Sequence, residues 1–254
     1  MADYRPPYLS VSQVNAYLGC PRKYKLRYVD RREPEKRSAE LALGSAVHAT
    51  LDWWTTEHRE GRTPSAEATQ KLFRVDWVAQ IATAEYDFEG SSPDEYRTLG
   101  EQLVALFAVR FQLETPAVAS EERFEVTLVN PGTGSPLPVP LVGVFDLVHE
   151  NGVGEIKTTA RKSSPDAWGL QLAAYSLAWR QTRGTKPQMR VIQLVKTKVP
   201  KIEVSEADIA ERDEAWFCEV AAGVYDSILA GAFHPVPGWM CGNCEYWRAC
   251  RRAA

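Results

Sequence analysis

Two carboxylates and a lysine near the middle of the chain have types and spacing suited to metal-assisted chemistry. Glu155 and Lys157 lie two residues apart in GEIKTT, so a strand would point both side chains to one face. Asp146 ends the preceding apolar run, and a pairing of the two runs through the turn ENGVG would bring it close to opposite Glu155. Carboxylates this close repel each other unless a cation lies between them, and Mg²⁺ or Mn²⁺ prefers oxygen ligands. If Lys157 orients or deprotonates a metal-bound water molecule, the set suits phosphodiester hydrolysis. The alternative is an ion pair on a solvated face, with Asp146 as a turn former.

Two predicted helices carry further side chains that could join this site. His48 follows Gly44 by four residues on a segment with an apolar stripe, and it is either a metal ligand or a packed or surface residue. Gln171 and Tyr175 lie four residues apart, which places them on one helix face. Both could hydrogen-bond phosphate oxygens or bases, or Tyr175 could be a core residue with Gln171 as its neighbour.

Five cysteines are present, and the odd number in an expected cytoplasmic chain disfavours a disulfide framework. The pattern Cys241-x2-Cys244-x5-Cys250 supplies three thiolates, which need a fourth partner to hold tetrahedral zinc or a four-iron cluster. Cys20 stands just before a proline, where a turn could present it. Cys218 falls among apolar residues of a predicted helix and fits a small core residue.

Composition bounds the possible function classes. The chain has 254 residues, 44% of them apolar and 25% charged, with no apolar run long enough to span a membrane. The opening MADYRPPYLS lacks the apolar segment of a secretory signal, so we expect a cytoplasmic location. The net charge of −3 disfavours a generally basic nucleic-acid binder but permits a local basic groove.

One segment, residues 20–32, interleaves cations with two tyrosines. This pattern suits single-stranded DNA, with phosphates on the cations and bases on the rings, or it is a solvated basic helix end. Four residues of the tail could extend the surface: Trp247, Arg248, Arg251 and Arg252.

The elements that would position these residues follow from apolar periodicity. Helices are predicted at 11–18, capped by Ser10 and Gln13, around His48, at 66–84 and at 93–113. Strands at 123–129, 141–150 and 154–160 would form an antiparallel meander, followed by a helix at 165–180 and strands at 189–197 and 201–205. Ser205 would cap a last helix that ends near Leu229. The pattern predicts one α/β domain, residues 1–254, with a helical part to 115, a sheet core at 116–204 and a cysteine-bearing end at 205–254.

Taken in order, these motifs resemble those of the RecB-like branch of the PD-(D/E)XK nucleases. The motifs are Gly44-x3-His48, Asp146, Glu155-x-Lys157 and Gln171-x3-Tyr175, preceded by YLSVSQVNAYLGCPRKYKLRYV. The resemblance implies a restriction-endonuclease-like core, in which a mixed central sheet is flanked by helices, and a metal-dependent deoxyribonuclease. It further implies that Mn²⁺ or Mg²⁺ is bound by His48, Asp146, Glu155 and the carbonyl of Ile156. Lys157 would then serve the attacking water, while Gln171 and Tyr175 would contact the DNA.

The cysteines extend this resemblance. Cys20 together with Cys241, Cys244 and Cys250 resembles the iron–sulfur staple of the CRISPR-associated RecB-like exonucleases and of the AddB nuclease. The resemblance implies a 4Fe–4S cluster, rather than zinc, that pins the two ends of the chain together.

The resulting hypothesis is an exonuclease that acts on single-stranded DNA ends in recombination, repair, phage replication or CRISPR spacer acquisition. Its partner would be a helicase or an integrase. The alternatives are a non-catalytic iron–sulfur DNA-binding subunit of a helicase–nuclease or integration complex, and a sequence-specific restriction-type endonuclease.

Overall fold

Helices make up the first part of the chain in the computed structural model, which describes residues 4–252. They are α1 (Val11–Gly19), α2 (Pro21–Tyr24) with a π-helical turn (Lys25–Val29), α3 (Ala39–Arg59), α4 (Ala66–Ile81) and α5 (Pro93–Phe111). The hydroxyl of Ser10 accepts a hydrogen bond from the N–H of Gln13 at 3.2 Å, as predicted for the cap of α1. Two short strands that the sequence did not indicate, β1 (Arg37–Ser38) and β2 (Tyr86–Asp87), pair in parallel.

A five-stranded mixed sheet follows. Its strands are β3 (Ala119–Val129), β4 (Pro136–His149), β5 (Gly152–Thr159), β6 (Gln188–Val195) and β7 (Lys201–Ala207), and they lie side by side in chain order. The pairs are antiparallel except β5 with β6, which are parallel. A parallel pair needs a crossover, and here a 3₁₀ turn (Pro165–Trp168) and α6 (Gly169–Arg183) supply it. The predicted meander and the α/β class are confirmed.

Apolar side chains cover both faces of the sheet. One buried cluster joins α1, α6 and α7 (Glu211–Leu229) to one face, and the other joins α3, α4 and α5 to the opposite face. The central strand β5 contributes Val153 to the first cluster and Ile156 to the second. Because side chains alternate along a strand, Glu155 and Lys157 share the face of Val153, on the side of α6.

The last predicted cap is wrong. Ser205 lies within β7, where it pairs with Val191 of β6, because the alternating segment KIEVSEA continues the strand to Ala207. The helix α7 begins at Glu211, and the carboxylate of Asp213 accepts a hydrogen bond from the N–H of Ala210 at 2.8 Å. The chain then passes through a 3₁₀ turn (Trp239–Cys241) to α8 (Trp247–Arg252).

None of the helices within residues 4–252 has the combination of length and apolar composition required to cross a membrane.

Candidate active site

The site lies in a cleft where β4 and β5 separate. Backbone pairing between these strands ends at Leu147 and Gly154, one step before Asp146 and Glu155 would have paired. The Asp146 carboxylate takes the place of the missing backbone partner, since its Oδ2 accepts a hydrogen bond from the N–H of Ile156 at 2.8 Å. Asp146 and Glu155 therefore lie close to opposite each other, as predicted, although no backbone pairing joins them. Ile156 contributes its N–H here, and its carbonyl as a metal ligand stays a prediction.

Glu155 and Lys157 form an ion pair inside the cleft. Lys157 Nζ lies 2.6 Å from Glu155 Oε1 and 2.8 Å from Gln171 Oε1. The amide of Gln171 also donates to Glu155 Oε1 at 2.8 Å and to the hydroxyl oxygen of Tyr175 at 2.9 Å. Glu155 is only 2% exposed, so the alternative of an ion pair on a solvated face does not hold. The other carboxylate oxygen, Oε2, is buried and has no hydrogen-bond partner among the described residues.

Tyr175 is a core residue whose hydroxyl reaches the site. Its ring packs edge-on against Phe145 at 5.2 Å and Phe124 at 5.7 Å between ring centroids. Burial, together with the charges of Glu155 and Asp146, raises the pKa of Tyr175 well above its ordinary value, so the hydroxyl stays protonated. The motif Gln171-x3-Tyr175 thus holds the Glu155–Lys157 pair in place, and its contact with DNA stays a prediction.

Helix α3 brings His48 to the opposite side of the cleft. Gly44 lies over β5, where a Cβ at this position would be in ordinary contact with the hydroxyl of Thr158 at 3.6 Å. His48 Nδ1 lies 3.7 Å from Asp146 Oδ1 and 3.8 Å from Glu121 Oε1. Ligand atoms of these three residues all lie within 4.8 Å of one another, close enough to hold a metal ion together.

Glu121 is the site residue that the sequence did not reveal. It lies on β3, opposite Asp146 in register, and it has a φ of 48°, which L-residues rarely adopt. The preceding residue, Ser120, donates to a carboxylate oxygen of Asp52 on α3 at 2.5 Å, and this contact fixes the strand beside the helix. Strained backbone of this kind concentrates at functional sites, but a left-handed glutamate leaves no signal in the sequence.

The electrostatics of the cleft favour a bound cation. Burial and the nearby charge of Glu155 raise the pKa of Asp146 to about 7. For His48, burial lowers the pKa, but Glu121, Asp146 and Glu155 outweigh this effect and the net pKa is raised. At neutral pH the cleft therefore retains protons to balance its carboxylates, and a divalent cation could take their place. The donor set of carboxylates and one imidazole fits Mg²⁺ or Mn²⁺.

The cysteines lie where the two ends of the chain meet. Cys20 is in extended backbone between α1 and α2, and Cys241, Cys244 and Cys250 lie in the tail. All four are partly buried, whereas Cys218 is buried in α7 as predicted. Burial raises the pKa of the Cys244 thiol, with a smaller contribution from Cys20.

Backbone and ion-pair contacts join these ends. The N–H of Arg22 donates to the carbonyl of His234 at 3.1 Å, and Lys23 Nζ lies 2.9 Å from Glu245 Oε2. The N–H of Glu35 donates to the carbonyl of Glu245 at 2.8 Å. In the tail, Arg251 stacks over Trp247 at 4.1 Å, and the side chain of Arg252 lies outside the described residues.

Comparisons with known proteins identify the family and the fold. A family model described as the PD-(D/E)XK nuclease superfamily matches residues 8–251. The Gene 69 protein of Mycobacterium phage L5 is 36% identical over 75 residues, which are 30% of this chain and only 26% of that protein. A crystal structure from Eubacterium rectale, described as a candidate exonuclease, matches with a TM-score of 0.61 and 16% identity over 98% of this chain and 88% of that one. At this identity the likeness to the solved structure shows the fold.

Proposed function

Because the chain belongs to the PD-(D/E)XK nuclease superfamily, we propose that it is a metal-dependent exonuclease that acts on single-stranded DNA ends. The observation that carries the proposal is the cleft itself. Ligand atoms of His48, Glu121 and Asp146 lie close together, with the Glu155–Lys157 ion pair beside them, in which Glu155 is buried and Lys157 is partly exposed. An ion-pair cluster on a solvated surface would not require these side chains to gather at one place. A cluster with a purely structural role would be expected to give the buried Oε2 of Glu155 a hydrogen-bond partner, which it lacks among the described residues.

Two sources supply the proposed metal ligands. The geometry groups His48, Asp146 and Glu121, and the resemblance to the nuclease family adds Glu155 and the carbonyl of Ile156. When bound, a divalent ion supplies a nucleophile from water at neutral pH and neutralises charge on the phosphate. Glu155 Oε2 is available as a ligand because Oε1 is already engaged by Lys157 and Gln171.

The protein's own residues would orient the attack. Lys157 Nζ is held by Glu155 and Gln171, so its position is fixed before substrate arrives. From there Lys157 can hold the attacking water, while Gln171, anchored to Tyr175, keeps the lysine from turning away. The attack forms a bond from the water oxygen to phosphorus as the bond to the leaving oxygen breaks, and the proton that the water loses is balanced by a proton that the leaving oxygen gains from solvent.

The exonuclease assignment is tested with labelled DNA. We expect the protein with Mn²⁺ to shorten a linear single strand and to leave a circular single strand intact. Lys157→Ala should slow hydrolysis by at least about a hundredfold and retain DNA binding. Lys162→Ala is the matched control, since Lys162 is an exposed lysine paired with Glu203. Cleavage of the circle would indicate an endonuclease, and an unaffected Lys157→Ala rate would refute the site assignment. Binding without any cleavage would instead indicate the non-catalytic DNA-binding subunit.

A 4Fe–4S cluster on Cys20, Cys241, Cys244 and Cys250 is the second part of the proposal. The support for it is the resemblance of the cysteine pattern, together with the contacts that join the segment after Cys20 to the tail, Arg22 with His234 and Lys23 with Glu245. The cluster would supply a cross-link between the two ends of the chain.

The cofactor is tested by its content and colour. Anaerobically purified protein should be brown and contain iron, and Cys20→Ser should lose iron and melt at a lower temperature. Cys218→Ser, which changes a cysteine outside the set, should keep its iron. A colourless protein that contains zinc would overturn the iron–sulfur assignment.

We propose that this activity serves recombination, repair, phage replication or CRISPR spacer acquisition. Its partner in that process would be a helicase or an integrase.

A further inference from the structure

A basic cavity of about 770 Å³ opens beside the active site. Its walls come from four parts of the chain: α2 with the segment that follows it, the first turns of α3, the region from the end of α4 to β2, and the cysteine tail around Tyr246. Four carboxylates line the cavity, and six cations outnumber them. The cations are Lys23, Arg27, Arg31, Arg32, Lys36 and Arg37. The cavity is thus locally positive, although the whole chain has a net charge of −3.

Three of these cations form no ion pair with a carboxylate of the described residues. The other three form ion pairs at 2.6 to 3.2 Å: Lys23 with Glu245, Lys36 with Asp87, and Arg37 with Glu33. Arg27, Arg31 and Arg32 are exposed and have no carboxylate within 4.0 Å among residues 4–252. Arg31 also has a φ of 48°, an uncommon conformation for a residue other than glycine. Guanidinium groups gathered at a cavity without anionic partners are suited to bind phosphate.

The basic cavity and the active site share one face of α3. Leu41 and Ser45 line the cavity, and His48 lies one turn further along the same exposed face. Three residues of α-helix correspond to a rise of about 4.5 Å between Ser45 and His48. The cavity wall at Ser45 is therefore within one helical turn of the proposed metal ligand His48, which is close enough for one DNA strand to reach both.

We propose that the basic cavity binds the phosphodiester backbone of the DNA strand next to the bond being cleaved, with Arg27, Arg31 and Arg32 as phosphate ligands. This inference rests on the proposed nuclease function and names the part of the protein that holds its substrate. The volume lies in the range of pockets that hold ligands, which leaves room for a short stretch of strand. Phosphate contacts of this kind fix the register of the strand and do not read its bases.

The test is binding of a short fluorescent single strand in EDTA, where no cleavage occurs. We expect the double variant Arg31→Ala/Arg32→Ala to weaken binding at least about tenfold and to lower the salt dependence of log Kd by about 1.4, which corresponds to two phosphate contacts on a single strand. With Mn²⁺ present, KM should rise while kcat changes little. Arg212→Ala is the matched control, an exposed arginine on α7 outside the cavity. Both exchanges remove exposed side chains, and an unchanged Tm would verify the fold.

The outcomes separate this inference from the nuclease proposal. If wild-type protein cleaves DNA and the double variant binds with unchanged affinity and salt dependence, the cavity assignment is wrong and the nuclease proposal stands. If the double variant loses affinity but wild-type protein never cleaves, the cavity assignment is supported and the nuclease proposal fails. Absence of any binding by wild-type protein would overturn the cavity assignment.

Discussion

The Asp146→Asn substitution should stabilise the metal-free protein while weakening its metal site. Asparagine keeps an oxygen that can accept the hydrogen bond from the N–H of Ile156, and it removes the negative charge next to Glu155. The wild-type carboxylate is thus expected to lower the stability of the metal-free fold in exchange for binding a cation.

The magnitude follows from the pKa of Asp146, which folding raises from 3.8 to about 7. Between these two values the folded protein binds more protons than the unfolded chain, so stability falls as pH rises through this window. At ~1.36 kcal/mol per pKa unit, the loss reaches about 4 kcal/mol above pH ~7. Between pH ~5 and pH ~8 it grows by about 2–3 kcal/mol. The asparagine variant has no such loss, and each kcal/mol corresponds to roughly 2–4 °C in Tm.

The assay is unfolding in EDTA at pH 5 and at pH 8. The variant should be more stable than wild type, and by a larger margin at pH 8. Asp226→Asn, an exposed aspartate on α7, is the control and should change stability by less than about 0.5 kcal/mol at both values. Adding Mn²⁺ should stabilise wild type and leave Asp146→Asn nearly unchanged. A metal-free variant no more stable than wild type at pH 8 would refute the electrostatic reasoning.

Further predictions concern a ligand and a packing contact. Glu121→Gln should weaken Mn²⁺ affinity at least about tenfold by calorimetry, whereas Glu122→Gln at the next position should not; equal affinities would remove Glu121 from the ligand set. Gly143→Ala should lower Tm by several degrees, because a Cβ there would lie 2.3 Å from the ring of Phe124. Gly223→Ala, in open space on α7, should instead leave Tm unchanged or raise it slightly; similar melting of the two variants would contradict this packing.

The sheet could be predicted because its strands carry their own signals. Alternating apolar residues and the turn ENGVG define β4 and β5, and the motif order places α6 after them. The strands β1 and β2 could not be predicted, because each strand has only two residues and the two strands lie about fifty residues apart in the chain. Ser205 was misread as a cap because a serine before acidic residues fits a helix start, whereas pairing with β6 keeps it in a strand.

The candidate site also has features that could be predicted from the sequence and features that could not. His48, Asp146, Glu155, Lys157, Gln171 and Tyr175 could be named from sequence because their order along the chain resembles the motifs of a nuclease family, whereas their spacing alone left an ion pair and packed residues as alternatives. The backbone separation at Asp146, the left-handed Glu121 and the contacts of Gln171 depend on tertiary packing, which no local pattern encodes. The basic cavity likewise exists only because the tail packs against the segment after α2.

The central claim is that the cleft of His48, Asp146, Glu155 and Lys157 is a metal-dependent nuclease site. The most direct measurement is hydrolysis of an end-labelled single strand by metal-stripped wild-type protein as Mn²⁺ is added back. We expect no product in EDTA, and product that appears and saturates as Mn²⁺ is added. Hydrolysis at the same rate in EDTA, or none at any concentration of Mn²⁺ or Mg²⁺, would contradict it.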